Sequence, residues 1–230
     1  QSTYFDTSLR SLSDTHTIVV EEPIRINLRD YVLDLIPYRE DPDDFRLDLT
    51  QLGPLSLSNS HVPHYLIAHQ SVVGAKRGSF EFSPPHSISP LDIPSYYSHT
   101  FSGHYHEPQT LLDTWTYVGS PIHFDRSDRG QKKGAILLSP LEEEWSRIYY
   151  QEAPQFVEVR AHVDPSPSGN RITICHSPGE IEGNFVDVVY PFGTDKDLVL
   201  ERVRGQGPRG VKAHVDPLTL PSTDQPDPDL

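Results

Sequence analysis

The frequent prolines of this chain limit the length of the regular elements that it can form. Its 230 residues include 22 prolines but only 14 glycines. Proline lacks a backbone N–H and has a fixed φ angle, so it interrupts helices and is excluded from central strands. The sequence therefore predicts a β-rich fold with short strands, many turns and few long helices. The length is sufficient for one large domain, or for a domain of about 150 residues with a smaller one attached.

Short apolar and β-branched runs predict strands through the first part of the chain. The predicted strands lie at 17–20, 24–28, 31–36, 65–68, 115–118 and 135–138, with another buried element leading into Gly103. Helical spacing of apolar residues predicts a short helix within 3–12, and 41–52 is compatible with a helix or an irregular connection. The Gly-, Ser- and Pro-rich stretch 74–96 is typical of a long loop.

The character of the sequence changes after Pro140. Strands are predicted at 156–163, 171–175 and 211–215, and a helix is predicted at 196–204. We therefore expect a first domain at 1–140 and a small accessory domain at 141–220. The acidic, Pro-rich tail 221–230 is predicted to be disordered.

Charge and cysteine content restrict the class of protein. A net charge of −14 disfavours nucleic-acid binding through the overall field of the surface. The single cysteine, Cys175, cannot form an internal disulfide, which favours a reducing compartment. No apolar run approaches the roughly 18 residues needed to span a bilayer, so we expect a soluble, intracellular protein without membrane contact. The chain contains no methionine, so we expect it either to follow a processed segment or to begin within a longer gene product.

Candidate metal ligands follow two of the predicted strands. His69 ends an apolar strand, and the run Gly103-His104-Tyr105-His106 follows another. The glycine permits a turn after which two imidazoles, at positions i and i+2, can reach one metal cluster. The alternative is that these histidines are polar residues at the rim of the sheet.

The order of motifs around these histidines resembles that of the calcineurin-like metallophosphoesterases. The sequence has a strand ending in His69, then Gly-His-Tyr-His, a Tyr-Val-Gly-Ser-Pro segment at 117–121, and a Lys-Gly strand at 133–138. The resemblance covers about 1–140, is strongest from 64 to 138, and is closest to the SbcD-like DNA-repair exonuclease branch. It implies an α/β (α+β) fold, with 1–140 as the β-rich second half of a four-layer sandwich and 141–220 as a small α+β cap domain.

The resemblance also implies the chemistry and the partners. Relatives hydrolyse phosphodiesters with two divalent metal ions, manganese first, with iron or zinc as alternatives. By motif, His69 and His104 would bind the second metal and His106 the first. DNA would be the substrate, and a homodimer with an ATPase partner is expected from the exonuclease relatives. A small-molecule phosphoesterase and a non-catalytic metal-binding or interaction module are the alternatives.

The motifs that supply the other ligands in that family do not occur. Asp14-Thr15-His16 spells the Asp-x-His of the first motif, but the preceding residues do not form a buried strand. The Gly-Asp-x-x-Asp and Gly-Asn-His-Asp/Glu motifs are missing, so no catalytic acid is assigned in this chain. We therefore expect residue 1 to fall after those motifs, the missing half to act in cis or in trans, and this chain alone to be inactive.

Several further residues have both a functional and a structural interpretation. Ser120 and His123 follow Gly119 and would lie near a bound phosphate. In the structural interpretation, Ser120 is a turn residue and His123 is an exposed histidine. The basic stretch Arg126, Arg129, Lys132 and Lys133 would contact a phosphate backbone or form a solvated loop. The remaining histidines are expected to be exposed in polar loops, including His61, His64, His86 and His99.

Overall fold

The chain folds into two compact units, which are described separately. The computed structural model describes residues 10–14, 16–55, 61–77, 80–81, 84, 87–150, 152–164, 171–177 and 179–220. The first unit contains the described residues up to Pro121 together with Gln131–Tyr150. The second contains Ile122–Gly130 and the described residues after position 151. Neither α-helix in the described part of the chain is long and apolar enough to cross a membrane.

The first unit consists mainly of short strands. In chain order these are β1 (Ile24–Asn27), β2 (Val32–Ile36), β3 (His64–Ala68), β4 (Lys76–Arg77), β5 (Phe80–Glu81), β6 (His99–Ser102), β7 (Gln109–Leu111), β8 (Trp115–Tyr117), β9 (Gly134–Ser139) and β10 (Glu144–Tyr149). Helix α1 (Pro42–Leu52) lies between β2 and β3, and two 3-10 helices span Arg10–Leu12 and Pro90–Asp92.

Six of these strands form one sheet whose centre is parallel. Its order is β1-β2-β3-β6-β8-β7. Strands β2, β3, β6 and β8 run parallel, whereas β1 and β7 are antiparallel edge strands. The carboxyl ends of the four parallel strands therefore meet at one edge of the sheet, where polar side chains that follow the strands come together.

Helix α1 covers one face of this sheet. Asp41 caps its first turn by accepting a hydrogen bond from the Asp43 N–H, and Pro42 occupies the first helical position. Phe45 and Leu49 are buried against apolar residues of the sheet and its loops. These residues are Ile36, Leu66, Ala68, Val72, Ala75, Ile88, Tyr97, Tyr105, Trp115 and Tyr117.

The antiparallel hairpin β9–β10 packs on residues of the other face. Its Trp145 ring lies 5.5 Å from the His99 ring and 5.9 Å from the Phe101 ring, centroid to centroid. Arg147 donates hydrogen bonds of 2.8 Å to the carbonyls of Tyr117 and Val118. The hairpin spans position 140, so the division between the units falls after Tyr150 and not at the predicted boundary.

The second unit has a sheet of its own. Its described strands are β11 (Phe156–Asp164), β12 (Arg171–Cys175), β13 (Phe185–Tyr190) and β14 (Gly210–Val215), and its α-helix is α2 (Lys196–Arg204). The strand order is β12-β11-β13-β14, with β11, β13 and β14 parallel and β12 antiparallel. Val199 and Val203 of α2 pack into its core, and 3-10 helices span Arg126–Asp128 and Pro217–Thr219.

The strand-rich, mixed α/β class is confirmed, and so are most of the predicted elements, including α2 at its predicted bounds. The 74–96 loop contains only β4, β5 and a 3-10 helix among its described residues. The sequence did not predict β7, β10 and β13. The four-layer sandwich and the cap domain stay predictions. Most of the 3–12 helix, the 221–230 tail and His86 lie outside the described residues.

The strand predicted at 17–20 is wrong. A side-chain oxygen of Asp14 accepts hydrogen bonds from the backbone N–H groups of His16 and Thr17, at 2.7 and 2.8 Å. The Ser13 hydroxyl accepts a third from Val19 at 3.2 Å. These local bonds occupy donors that a strand would use in a ladder, so the segment forms a turn and an irregular stretch.

Candidate functional site

His69 and Gly103 lie side by side at the carboxyl edge of the parallel sheet. His69 directly follows β3, and Gly103 directly follows the neighbouring strand β6. The Gly103 N–H donates a 3.0 Å hydrogen bond to the Ala68 carbonyl, which extends the pairing of the two strands by one residue. The two candidate ligand segments therefore start from adjacent points of one rigid scaffold.

The close approach of these two segments requires a glycine at position 103. A Cβ atom at Gly103 would lie 2.6 Å from Nδ1 of His69, closer than such contacts allow. His104 has a φ of 87°, in the left-handed region that non-glycine residues rarely adopt. Such strain costs of order 1–3 kcal/mol and is concentrated at functional sites. The backbone is thus held in an unfavourable conformation that places the His104 imidazole beside His69.

Three aromatic rings meet at this edge. The centroids of the His69 and His104 imidazoles are 5.6 Å apart, with their planes at 86°. Tyr38, two residues after β2, stacks on His104 with a centroid distance of 5.9 Å and an interplanar angle of 6°. It also meets the His69 ring edge-on at 6.1 Å. The sequence did not indicate Tyr38 as a site residue.

The electrostatic environment favours neutral imidazoles. Loss of hydration lowers the pKa of His69. Loss of hydration also lowers the pKa of His104, and the charges of His69 and His106 lower it further. His106 is therefore close enough to His104 to act on it electrostatically. Neutral imidazole is the protonation state that binds a metal ion, so these shifts favour ligation at neutral pH.

Two residues from the following segment fix the backbone of His106. Its carbonyl accepts a 3.1 Å hydrogen bond from the Ser120 N–H and a 2.8 Å hydrogen bond from Nζ of Lys133. Ser120 and Lys133 are both buried. Ser120 thus contacts the histidine motif through its N–H, and its hydroxyl lies farther from the same carbonyl, at 3.5 Å. Its location near a bound phosphate stays a prediction.

Gln70, which the sequence did not single out, links the loops around these histidines. Its side chain is buried and bonds to the backbone of Arg39 twice, donating to the carbonyl at 2.9 Å and accepting from the N–H at 3.3 Å. Its own N–H donates to the Ser102 hydroxyl, and its carbonyl accepts from the Tyr117 hydroxyl. Gln70 therefore connects the carboxyl ends of β2, β3, β6 and β8.

The other predicted site residues are engaged elsewhere. His123 belongs to the second unit, where it is buried and its Nδ1 accepts a 3.3 Å hydrogen bond from the Phe156 N–H. In the same unit, Arg126 pairs with the buried Asp187 at 2.6 Å, and Arg129 pairs with Glu158. Arg126 and Arg129 are exposed, as expected for a solvated stretch, although carboxylates of the second sheet bind them. The prediction is wrong for Lys133, which is buried.

The expected exposure of the remaining histidines is wrong for His64 and His99. His64 is buried in β3, where its Nε2 lies 2.9 Å from the Asp34 carboxylate. His99 is buried in β6, where its Nε2 lies 2.9 Å from the Thr116 hydroxyl. Both side chains are retained inside because a polar partner on a neighbouring strand compensates for the lost water.

The described part of the chain contains no group of three or more His, Cys, Asp and Glu side chains placed to hold a metal ion. The two imidazoles at the sheet edge are nevertheless chemically suited to a transition metal, since neutral imidazole is a ligand for manganese, iron and zinc. His69 and His104, with His106 close by, fit a partial site that needs further ligands.

Comparison of the sequence with models of known protein families and with curated proteins finds no match.

The contact between Gly103 and His69 predicts the effect of adding a single methyl group. We expect Gly103→Ala to lower the free energy of unfolding by about 1–3 kcal/mol, because the new Cβ must displace the His69 ring. The imidazole NMR signals of His69 should shift in the same variant. Gly205→Ala is the matched control, because a Cβ there meets only ordinary contacts, the closest at 3.6 Å. A Gly103→Ala variant with unchanged stability and unchanged His69 signals would contradict the close approach.

Proposed function

We propose that His69, His104 and His106 are this chain's share of a two-metal phosphoesterase site. The observation that carries the proposal is the pair of imidazoles at the carboxyl ends of adjacent parallel strands, with His104 held on strained backbone. Active sites of open α/β sheets are found at this edge. Phosphodiester hydrolysis of the DNA-exonuclease type is the reaction that the motif resemblance favours.

Each histidine has a defined part in this proposal. His69 and His104 bind the second metal and His106 binds the first, manganese being the preferred ion and iron or zinc the alternatives. When bound, two such ions polarise phosphoryl oxygens and supply a hydroxide nucleophile at neutral pH. The lowered pKa values of His69 and His104 reduce competition from protons. Ser120 and Lys133 hold the His106 backbone, so that its imidazole starts from a fixed position.

The proposed site needs ligands beyond these three histidines, including a carboxylate that bridges the metals. Such ligands would come from outside the described residues, in cis or in trans. The chain on its own is therefore proposed to bind metal without turning over a phosphodiester.

The charge of the chain favours a second candidate substrate. With a net charge of −14, the surface as a whole repels a nucleic-acid backbone. In addition, carboxylates of the second unit bind Arg126 and Arg129. A phosphoesterase that acts on a small molecule is therefore the alternative within the same chemistry.

Calorimetric titration with MnCl₂ tests the metal site directly. We expect the chain to bind Mn²⁺ and the double variant His104→Ala/His106→Ala to lose affinity on the order of tenfold or more, equivalent to about 1.4 kcal/mol. The matched control is His162→Ala/His176→Ala, which removes two exposed histidines of the second unit and should bind as the parent does. Equal binding by all three proteins would refute the proposed ligands.

A second titration separates a phosphoesterase from a metal-binding module without catalysis. Inorganic phosphate is added to the chain with and without saturating Mn²⁺. Phosphate binding that requires Mn²⁺ supports a site built for phosphoryl groups. Mn²⁺ binding without any phosphate binding would favour the non-catalytic module.

A further inference from the structure

We propose that Tyr38 is the residue that positions the imidazoles of the metal site. This inference rests on the proposed function of His69 and His104 and adds a residue that contributes no metal ligand. Its basis is the geometry of the three rings, in which a single phenol contacts both imidazoles in two different orientations.

The stacked contact restricts the rotation of His104. The ring planes of Tyr38 and His104 are 6° from parallel at a centroid distance of 5.9 Å. His104 also meets the buried Tyr105 ring, at 5.0 Å and 84°. An imidazole that contacts two aromatic rings has fewer accessible rotamers than a free one, so these contacts restrict the direction of its ring nitrogens before any ion binds.

The edge-on contact acts on His69. Tyr38 meets the His69 ring at 6.1 Å and 87°, and His69 meets His104 at 86°. Edge-to-face arrangements are favoured for aromatic pairs and contribute beyond their buried area. Tyr38 therefore fixes the relative orientation of the two imidazoles, which is what a shared metal site requires.

The residues on both sides of Tyr38 restrain its backbone, although its ring is not buried. Pro37, which precedes it, has a fixed φ angle. The backbone of Arg39, which follows it, makes two hydrogen bonds to the buried Gln70 side chain. The Arg39 guanidinium also bonds to Asp48 of α1 at 2.6 Å. The side chain of Tyr38 nevertheless remains 51% exposed. The Tyr38 backbone is thus anchored, while its half-exposed side chain contributes little to the core.

Three variants of Tyr38 distinguish the contribution of its aromatic ring to Mn²⁺ binding from that of its hydroxyl and from that of side-chain volume alone. We expect Tyr38→Ala to bind Mn²⁺ about 2- to 10-fold more weakly than the parent, which is the range of one aromatic pair. Tyr38→Phe retains the ring and should bind within about twofold of the parent. Tyr38→Leu fills the space without an aromatic face and should resemble Tyr38→Ala. Thermal unfolding should barely change in all three, because the side chain is half exposed.

The imidazole NMR signals of the metal-free protein give a readout that does not depend on metal binding. The His69 and His104 signals should shift in Tyr38→Ala and Tyr38→Leu and stay close to the parent in Tyr38→Phe. Parental Mn²⁺ affinity in Tyr38→Ala would overturn the inference while leaving the proposed function intact, and weak binding by Tyr38→Phe would assign the effect to the hydroxyl instead. If the parent itself does not bind Mn²⁺, the proposed function fails, and unchanged signals in Tyr38→Ala would then overturn the positioning role as well.

Discussion

Replacing Asp34 with alanine is expected to lower the free energy of unfolding by about 3–5 kcal/mol, the cost of breaking a buried ion pair. The Asp34 carboxylate has 0% exposure. It accepts two 2.7 Å hydrogen bonds from the Arg25 guanidinium, one of 2.7 Å from the Tyr97 hydroxyl, and has Nε2 of His64 at 2.9 Å. Removing this acceptor leaves several donors without a partner inside the first unit. Chemical denaturation at neutral pH measures the loss.

The environment of the same carboxylate predicts how the stability of the fold depends on pH. Burial alone would raise the pKa of Asp34, but the hydrogen bonds from Arg25, His64 and Tyr97 outweigh it and lower the pKa to about 2. Because an unfolded aspartate titrates near 3.9, the folded state binds this proton less readily than the unfolded state. The ionised Asp34 carboxylate thus contributes roughly 2–3 kcal/mol to the free energy of unfolding above about pH 4, and this contribution is lost as the pH falls towards 2.

A surface aspartate provides the comparison. Asp43 is 85% exposed and pairs with Arg46 within α1, so Asp43→Ala should cost less than about 1 kcal/mol. In Asp34→Ala the acid limb between about pH 4 and 2 should flatten. An Asp34→Ala variant that loses no more stability than Asp43→Ala would show that the network does not support the fold.

Asp34 also illustrates which features cannot be predicted from the sequence. Local patterns located β2 and β3 because alternating and apolar runs carry the information within five residues. The burial of Asp34 depends on Arg25 and on Tyr97, which is 63 positions away. No local signal marks a carboxylate or a histidine as buried when its partners lie on other strands. His64 and His99 were misplaced at the surface for the same reason.

Strand β13 could not be predicted from the sequence for a similar reason. Its sequence Phe-Val-Asp-Val-Val-Tyr places a charged residue in the middle of an apolar run. Asp187 is buried there because Arg126, 61 positions earlier, pairs with it. Segment 122–130 thus belongs to the second unit, although it lies between strands of the first. A sequence pattern shows neither the pairing nor the interleaving of the two units.

For the candidate site, the sequence showed the histidines but not their surroundings. His69 and His104 could be predicted because each follows an apolar strand, and the adjacent Gly103 indicated a tight turn. The contributions of Tyr38 and Gln70 depend on β2, β3 and β6 lying side by side in parallel. That arrangement brings together residues that are more than thirty positions apart, such as Arg39 and Gln70. It becomes visible only once the strand order is known.

The largest effect expected near the site without touching a histidine is that of Gln70→Leu. Its side chain is 1% exposed and is the partner of both the N–H and the carbonyl of Arg39. Leucine fills a similar volume but leaves these two backbone groups without that partner, which costs about 1–3 kcal/mol for each buried group. Because Arg39 is only half buried and water can replace part of the loss, we expect the free energy of unfolding to fall by about 2–4 kcal/mol.

Denaturation measures the total loss of stability in Gln70→Leu, and hydrogen exchange shows which backbone amides account for it. In Gln70→Leu the Arg39 amide should exchange faster than in the parent, because the bond that protects it is lost and the Tyr38 segment opens locally. Gln51→Leu is the matched control, since Gln51 is exposed on α1 and the same substitution there should leave stability and Arg39 exchange unaltered. If Tyr38 positions the imidazoles, Gln70→Leu should also weaken Mn²⁺ binding, because the segment that carries the Tyr38 ring is no longer anchored. Faster Arg39 exchange together with unchanged Mn²⁺ affinity would show that the backbone anchor and the positioning of the imidazoles are independent. The Tyr38 ring contacts would then persist without the anchored backbone.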